Sequence, residues 1–355
     1  MKGTIEVDRL EKTYGTTTAI RDVTFRVNAG EILGFLGPNG AGKTTTMRIL
    51  TGFIPATSGT ARVAGFDVHD RPLAVKKRIG YLPENPPVYP DMSVRGYLDF
   101  VARIKGVAAG DRRAKVEAAM ERCGLSDRAK STISKLSKGY RQRVGIAQAI
   151  VHDPPVIILD EPTVGLDPRQ IIEVRNLIKS LAGERTIVLS THILPEVSMT
   201  CDRVAIIADG RVVATDTPEN LMVQLAASNG YSLEVEGDPA TIEPLLQAVP
   251  GVTGLVWARG GDERDANGSL ETRHRLQASV APDCEPGREI AAALVGAGVG
   301  LYELRRSRPT LEDVFLKLTT QEVPLQEERP AAEENASVDR EENASAEETE
   351  AEVTT

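Results

Sequence analysis

Eight residues, Gly37-Pro38-Asn39-Gly40-Ala41-Gly42-Lys43-Thr44, constrain the fold of this chain more than any other stretch. The apolar run Glu31-Ile32-Leu33-Gly34-Phe35-Leu36 enters them, and a helical run beginning at Lys43 leaves them. Small residues at such a junction let the backbone curl until successive N–H groups point inward, as a phosphate cradle requires. Other apolar runs fit the sheet implied by this strand-to-helix unit. Ile157–Leu159, Thr186–Ser190 and Arg203–Ala208 lack polar alternation and suit parallel strands covered on both faces. Ile5–Val7 and Val23–Val27 alternate, as edge strands do.

Within the cradle formed by Gly37, Pro38, Asn39, Gly40, Ala41 and Gly42, Lys43 is expected to reach the β- and γ-phosphates of a nucleotide. Thr44 offers a hydroxyl to Mg²⁺, and Thr45 is placed to touch the α-phosphate. A second block, Val156-Ile157-Ile158-Leu159-Asp160-Glu161, ends a buried strand on two adjacent carboxylates. Asp160 is suited to holding Mg²⁺ through water, and Glu161 to polarising an attacking water as general base. The competing reading of Asp160 is a helix cap at a strand end. A third block, Leu136-Ser137-Lys138-Gly139-Tyr140, is a turn opening a helix, which offers free backbone N–H groups and a positive dipole end to an anion.

Taken together, these blocks resemble the nucleotide-binding subunit of ABC transporters. Leu136-Ser137-Lys138-Gly139-Tyr140 stands in the place of that family's signature, and the likeness runs over roughly residues 4–220. The resemblance implies an ATPase that binds ATP and Mg²⁺ and pairs head to tail with a second copy of itself or a related subunit. Ser137 and Gly139 of one subunit would then grip the γ-phosphate held by the other. It further implies that Tyr14 stacks on adenine, that Asp167 of Gly165-Leu166-Asp167 lies at the dimer seam, and that His192 contacts the γ-phosphate. Glu84 stands where the family carries glutamine; a carboxylate there can still contact Mg²⁺ or water while adding negative charge beside the phosphate. Lys138 and Tyr140 replace the usual Gly and Gln. With these departures, the trailing Thr310–Phe315 stretch is similar to export-type members of multidrug and gliding-motility systems.

The expected fold is α/β: a P-loop NTPase with a mostly parallel central sheet, antiparallel edge strands and a helical insertion over about 94–151. Breaks in that insertion are expected at Gly106–Gly110 and Gly124. The main domain should span residues 1–225. Residues 230–318 read as a small ferredoxin-like α+β domain in the order β-α-β-β-α-β, ending in a helix from Thr310 to Leu318. Its loop is expected at Gly260–Gly268. Residues 321–355 read as a disordered acidic tail.

Composition narrows the function. The net charge of −9 resides in that tail, whose twelve acidic and two basic residues carry −10 and leave the first 320 residues at +1. A near-neutral body gives no electrostatic case for nucleic acid. That weighs against the alternative of a soluble ABC ATPase acting on ribosomes or DNA, as do the single P-loop and the lack of heptads. Cys123, Cys201 and Cys284 stand far apart without metal-site spacing and read as inert thiols. No apolar run approaches the ~18–20 residues that span a bilayer, and Met1–Val7 is no signal segment. The expected location is cytoplasmic, peripheral on the inner membrane face. A separate permease is expected to dock near Pro86–Asp99, where Pro86, Pro87, Val88, Tyr89, Pro90 and Met92 offer an apolar surface. For residues 231–318, a dimer-stabilising role or a small-ligand sensor are the two readings.

Overall fold

The computed structural model describes residues 4–224, 230–257, 273–281, 284–307 and 310–320. The expected loop at Gly260–Gly268 and the acidic tail lie outside these residues. The chain opens with an antiparallel hairpin, β1 (Ile5–Tyr14) and β2 (Thr17–Val27). After β3 (Ile32–Leu36) and α1 (Lys43–Leu50), β4 (Ser58–Val63) and β5 (Phe66–Asp67) extend the hairpin into a sheet of order β2-β1-β4-β5. Then come α2 (Pro72–Lys76), β6 (Ile79–Leu82) and three helices, α3 (Val94–Ile104), α4 (Ala109–Arg122) and α5 (Lys138–Ile150).

The chain next forms β7 (Val156–Asp160), α6 (Pro168–Leu181), β8 (Thr186–Thr191), α7 (Leu194–Thr200), β9 (Arg203–Ala208) and β10 (Arg211–Asp216). These strands complete a sheet of order β10-β9-β3-β8-β7-β6, parallel except for the β9–β10 hairpin. Its inner strands β3 and β7 are almost wholly apolar because each of their faces meets its own core. From β3, Ile32 and Leu36 join one core and Leu33 and Phe35 the other; β7 divides Ile157 and Leu159 from Val156 and Ile158 in the same way. Each fully buried side chain of this size contributes about 1.5–3 kcal/mol over exposure.

The helical insertion follows its sequence pattern. Val94, Tyr97, Leu98, Val101 and Ala102 form the buried stripe of α3, and Ser93 caps that helix by accepting a hydrogen bond from Gly96 N at 3.1 Å. The break falls at Gly106; Gly110 lies within α4, whose first turn tolerates it.

After α8 (Pro218–Gln224), the elements β11 (Gly230–Glu236), α9 (Pro239–Gln247), β12 (Val252–Trp257), β13 (Arg273–Val280), α10 (Gly287–Gly296) and β14 (Gly300–Ser307) follow. They form an antiparallel sheet of order β12-β13-β11-β14, which is the ferredoxin-like arrangement. One finding departs from the sequence reading. The last helix, α11 (Leu311–Thr320), was expected to close this small unit, yet its Leu311 and Val314 are buried in the core of the large sheet, beside α7 and α8. Sequence periodicity identifies an apolar face but not which core receives it.

Candidate nucleotide site

The register of the parallel sheet assembles the site. Leu36 of β3 pairs with Thr191 of β8, Asp160 of β7 with Ser190, and Leu82 of β6 with Leu159. The residues that follow these strand ends, Gly37, His192, Glu161 and Glu84, therefore emerge at one edge, where open α/β sheets bind ligands. Asn39, Gly40, Gly42, Lys43, Thr44, Thr45, Glu84, Glu161 and His192 share a cleft of about 340 Å³ with Ala19 and Val164. A larger hollow of about 480 Å³ along Phe53–Pro72 contains none of the predicted residues, so volume does not select the site.

The loop needs its glycine at position 42. Gly42 adopts φ +103°, and a Cβ there would lie 2.4 Å from Ile20 Cγ2 of β2. Ala41 is buried in the core, anchoring the loop from beneath. Lys43 is 6% exposed; its Nζ donates to Gly37 O at 2.8 Å and Pro38 O at 3.1 Å, and lies 3.6 Å from Glu161 Oε1. Glu161 is itself 7% exposed and also meets His192 Nδ1, at 2.9 Å from Oε2 and 3.0 Å from Oε1. A buried carboxylate is tolerable only when so paired.

Glu161 also sits at φ +49°, a left-handed conformation costing a non-glycine residue about 1–3 kcal/mol. Its N–H donates to Ser190 O at 3.0 Å, and its carbonyl accepts from Val164 N at 3.3 Å. These bonds hold the turn that aims the carboxylate into the cleft.

Asp160 lies deeper, 1% exposed. Ser190 Oγ donates to its Oδ1, while Oδ2 is buried without a hydrogen-bond partner. An orphaned carboxylate oxygen fits a hard cation. No cluster of three or more potential His, Cys, Asp or Glu ligands exists among the described residues, so water and phosphate oxygens would complete such a cation's shell. Burial, and next the Asp160 charge, push the neighbouring Tyr81 hydroxyl up to about 12, which keeps it neutral.

The other predicted residues stand apart from this cleft. Tyr14 is 47% exposed at the end of β1, with the Lys12 ammonium 5.1 Å from its ring centroid; Ala19, on the partner strand of the hairpin, is the residue that lines the cleft. Ser137 and Asp167 cap α5 and α6, accepting from Tyr140 N at 3.4 Å and Gln170 N at 2.9 Å. These two helix starts pack together: a Cβ on Gly139 would fall 2.5 Å from Gln170 Oε1. Lys138 leans on Gly165, and the Arg128 and Arg143 guanidiniums lie 5.4 and 5.8 Å from the Tyr140 ring centroid.

Pro86–Asp99 is partly self-packed. Val88 and Met92 lie on the core, Tyr97 Oη donates to Pro87 O at 3.0 Å, and Tyr89 packs edge-on against Tyr97 and Phe100 while remaining 51% exposed. Burial pushes the Cys123 thiol up to about 12 and raises that of Cys201, so both are inert. Sequence reasoning missed Ser190, Ala19 and Val164. For Ser190 a signal existed: Ser190-Thr191 is a polar pair ending an otherwise apolar strand.

A family model described as ABC transporter matches residues 20–164. A daunorubicin resistance ATP-binding protein of Streptomyces coeruleorubidus is 34% identical over 332 residues, covering 92% of this chain and 98% of its own length. A Nod factor export ATP-binding protein of Burkholderia lata is 35% identical over 321 residues, covering 90% and 98%. Among solved structures, an ATP-binding subunit of an ABC transporter matches with a TM-score of 0.57 at 31% identity, over 62% of this chain and 92% of that one.

Proposed function

The chain belongs to the ATP-binding subunits of ABC transporters, and from that premise we propose that it closes head to tail with a second copy or a related subunit around ATP and drives a separate export permease. The observation that carries this reading is the separation of the two half-sites. Lys43, Glu161 and His192 share one cleft, while Ser137 and Asp167 cap two packed helix starts that do not line it. A helix N-terminus suited to a phosphate, but outside the chain's own phosphate cleft, is placed to meet a phosphate that another subunit holds, and that is the role this reading gives it.

In this reading Lys43 and the amides of Gly37–Thr45 hold the triphosphate, and Tyr14 stacks on adenine. Glu161 takes the proton of the attacking water, and His192 orients Glu161 and the γ-phosphate. Thr44, Asp160 through its orphaned oxygen and, directly or through water, Glu84 would hold Mg²⁺, which supplies charge neutralisation between phosphates when bound. Among the described residues no helix is long and apolar enough to cross a membrane, so transport requires a partner that does. We place the chain on the cytoplasmic face, with exposed Tyr89 in the docking surface. The export direction rests on the drug-resistance and Nod factor relatives.

Subunit mixing tests the dimer. Lys43→Ala and Ser137→Ala chains should each be inactive alone, and mixing them should restore ATPase activity, because half of the composite sites in a mixed dimer are intact. No restoration would mean that the signature acts within its own chain. For the permease, a photocrosslinker at Tyr89 in membranes should capture a polytopic protein; capture of soluble proteins alone would overturn the docking assignment.

A further inference from the structure

Three consecutive residues at the end of β8 each bind a carboxylate. Ser190 donates to Asp160, and His192 meets Glu161, so two of the three belong to the hydrolytic site. The third does not. Thr191, fully buried, donates its hydroxyl to Glu196 Oε2 at 3.0 Å, and Glu196 is only 3% exposed on the first turn of α7. Its Oε1 is buried without a hydrogen-bond partner. A carboxylate kept so dry is costly to stability, and one hydroxyl does not offset that cost.

We propose that Glu196 is the positioning residue for His192, an inference that rests on the reading of His192 given above. The hydrogen-bond directions carry the argument. Thr191 turns its O–H toward Glu196, donating to Oε2. That leaves a lone pair on the same oxygen for Ile193 N–H, which donates to it at 3.0 Å. The bond from Ile193 back to Thr191 closes a tight turn with His192 at its apex. Glu196 N–H in turn donates to Ile193 O at 3.1 Å, tying the helix start to the same turn. Glu196 thus sets the Thr191 hydroxyl, the hydroxyl sets the turn, and the turn holds His192 Nδ1 within 2.9 Å of Glu161. Without the carboxylate, the hydroxyl rotates freely and no longer commits its lone pair to Ile193.

The test compares steady-state ATPase kinetics of full-length variants. Glu196→Ala should lower kcat about tenfold, as small misplacements of reacting groups do, with the KM for ATP within about twofold. Glu196→Gln should retain most of the rate, because its amide oxygen still accepts from Thr191. Thr191→Val, close in shape, should reproduce the loss and serves if Glu196→Ala does not fold. In a His192→Ala background, neither Glu196→Ala nor Thr191→Val should reduce kcat further, the non-additivity of groups acting through one residue. Parental kcat in both Glu196→Ala and Thr191→Val, Gln as damaging as Ala, or the same fractional loss in the His192→Ala background would overturn the proposal. A His192→Ala chain at the parental rate would overturn both this inference and the reading of His192 beneath it.

Discussion

Replacing Glu161 with glutamine should leave ATP binding intact, abolish turnover and trap an ATP-bound dimer. Glutamine keeps the volume of the side chain and an oxygen that can face Lys43 and His192, at present 3.6 Å and 2.9 Å from the carboxylate. What it loses is the capacity to take a proton from water, a contribution of about 10²–10⁴ in rate. Removing a negative charge beside the γ-phosphate also favours the bound state. The measurements are phosphate release and the size of the species eluting with ATP. Hydrolysis at the parental rate would show that Glu161 is not the base.

Lys43→Ala should act on binding itself. Loss of a charge-assisted contact to phosphate is expected to weaken ATP affinity about 100-fold, or about 3 kcal/mol. The geometry adds a second consequence. Lys43 also donates to Gly37 O and Pro38 O and faces Glu161, so alanine leaves a buried carboxylate with His192 as its remaining partner. The variant should therefore melt lower than the parent even without nucleotide, since stranding a buried charge is destabilising. ATP should raise the melting temperature of the parent and scarcely that of the variant. An unchanged ATP affinity would remove Lys43 from the phosphate site.

These two residues also show how unevenly the site could be read from sequence. The role expected of Lys43 follows from a local pattern: glycines at set spacing between an apolar strand and a helix, with Gly42 forced to φ +103°. For Asp160 the sequence leaves cation ligand and helix cap side by side, and the structure adds what sequence does not carry: a buried, unpartnered Oδ2 with Ser190 on Oδ1. For Ser190 the polar end of its strand is a local signal, but the partner it holds, Asp160, lies thirty residues away in sequence and only the packed sheet shows it. The left-handed backbone of Glu161 was also invisible, since nothing about glutamate predicts φ +49°.

By itself, the chain's residue order determined what depends on near neighbours. It indicated the apolar strands around the cradle, the curl of Gly37–Thr44, a helical stretch over about 94–151, the helix opening at Leu136–Tyr140, and the β-α-β-β-α-β order after residue 230. Those features are local because backbone sterics, capping bonds and alternation act over a few residues. Tertiary structure alone decided which strand ends meet. The pairings Leu36–Thr191 and Asp160–Ser190 bring Lys43, Glu161 and His192 into one cleft, and the burial of Leu311 and Val314 returns α11 to the large core. The physical reason is common to both cases. Apolar burial is non-directional, so a buried face specifies that it must be covered, and only the packed sheet specifies by what.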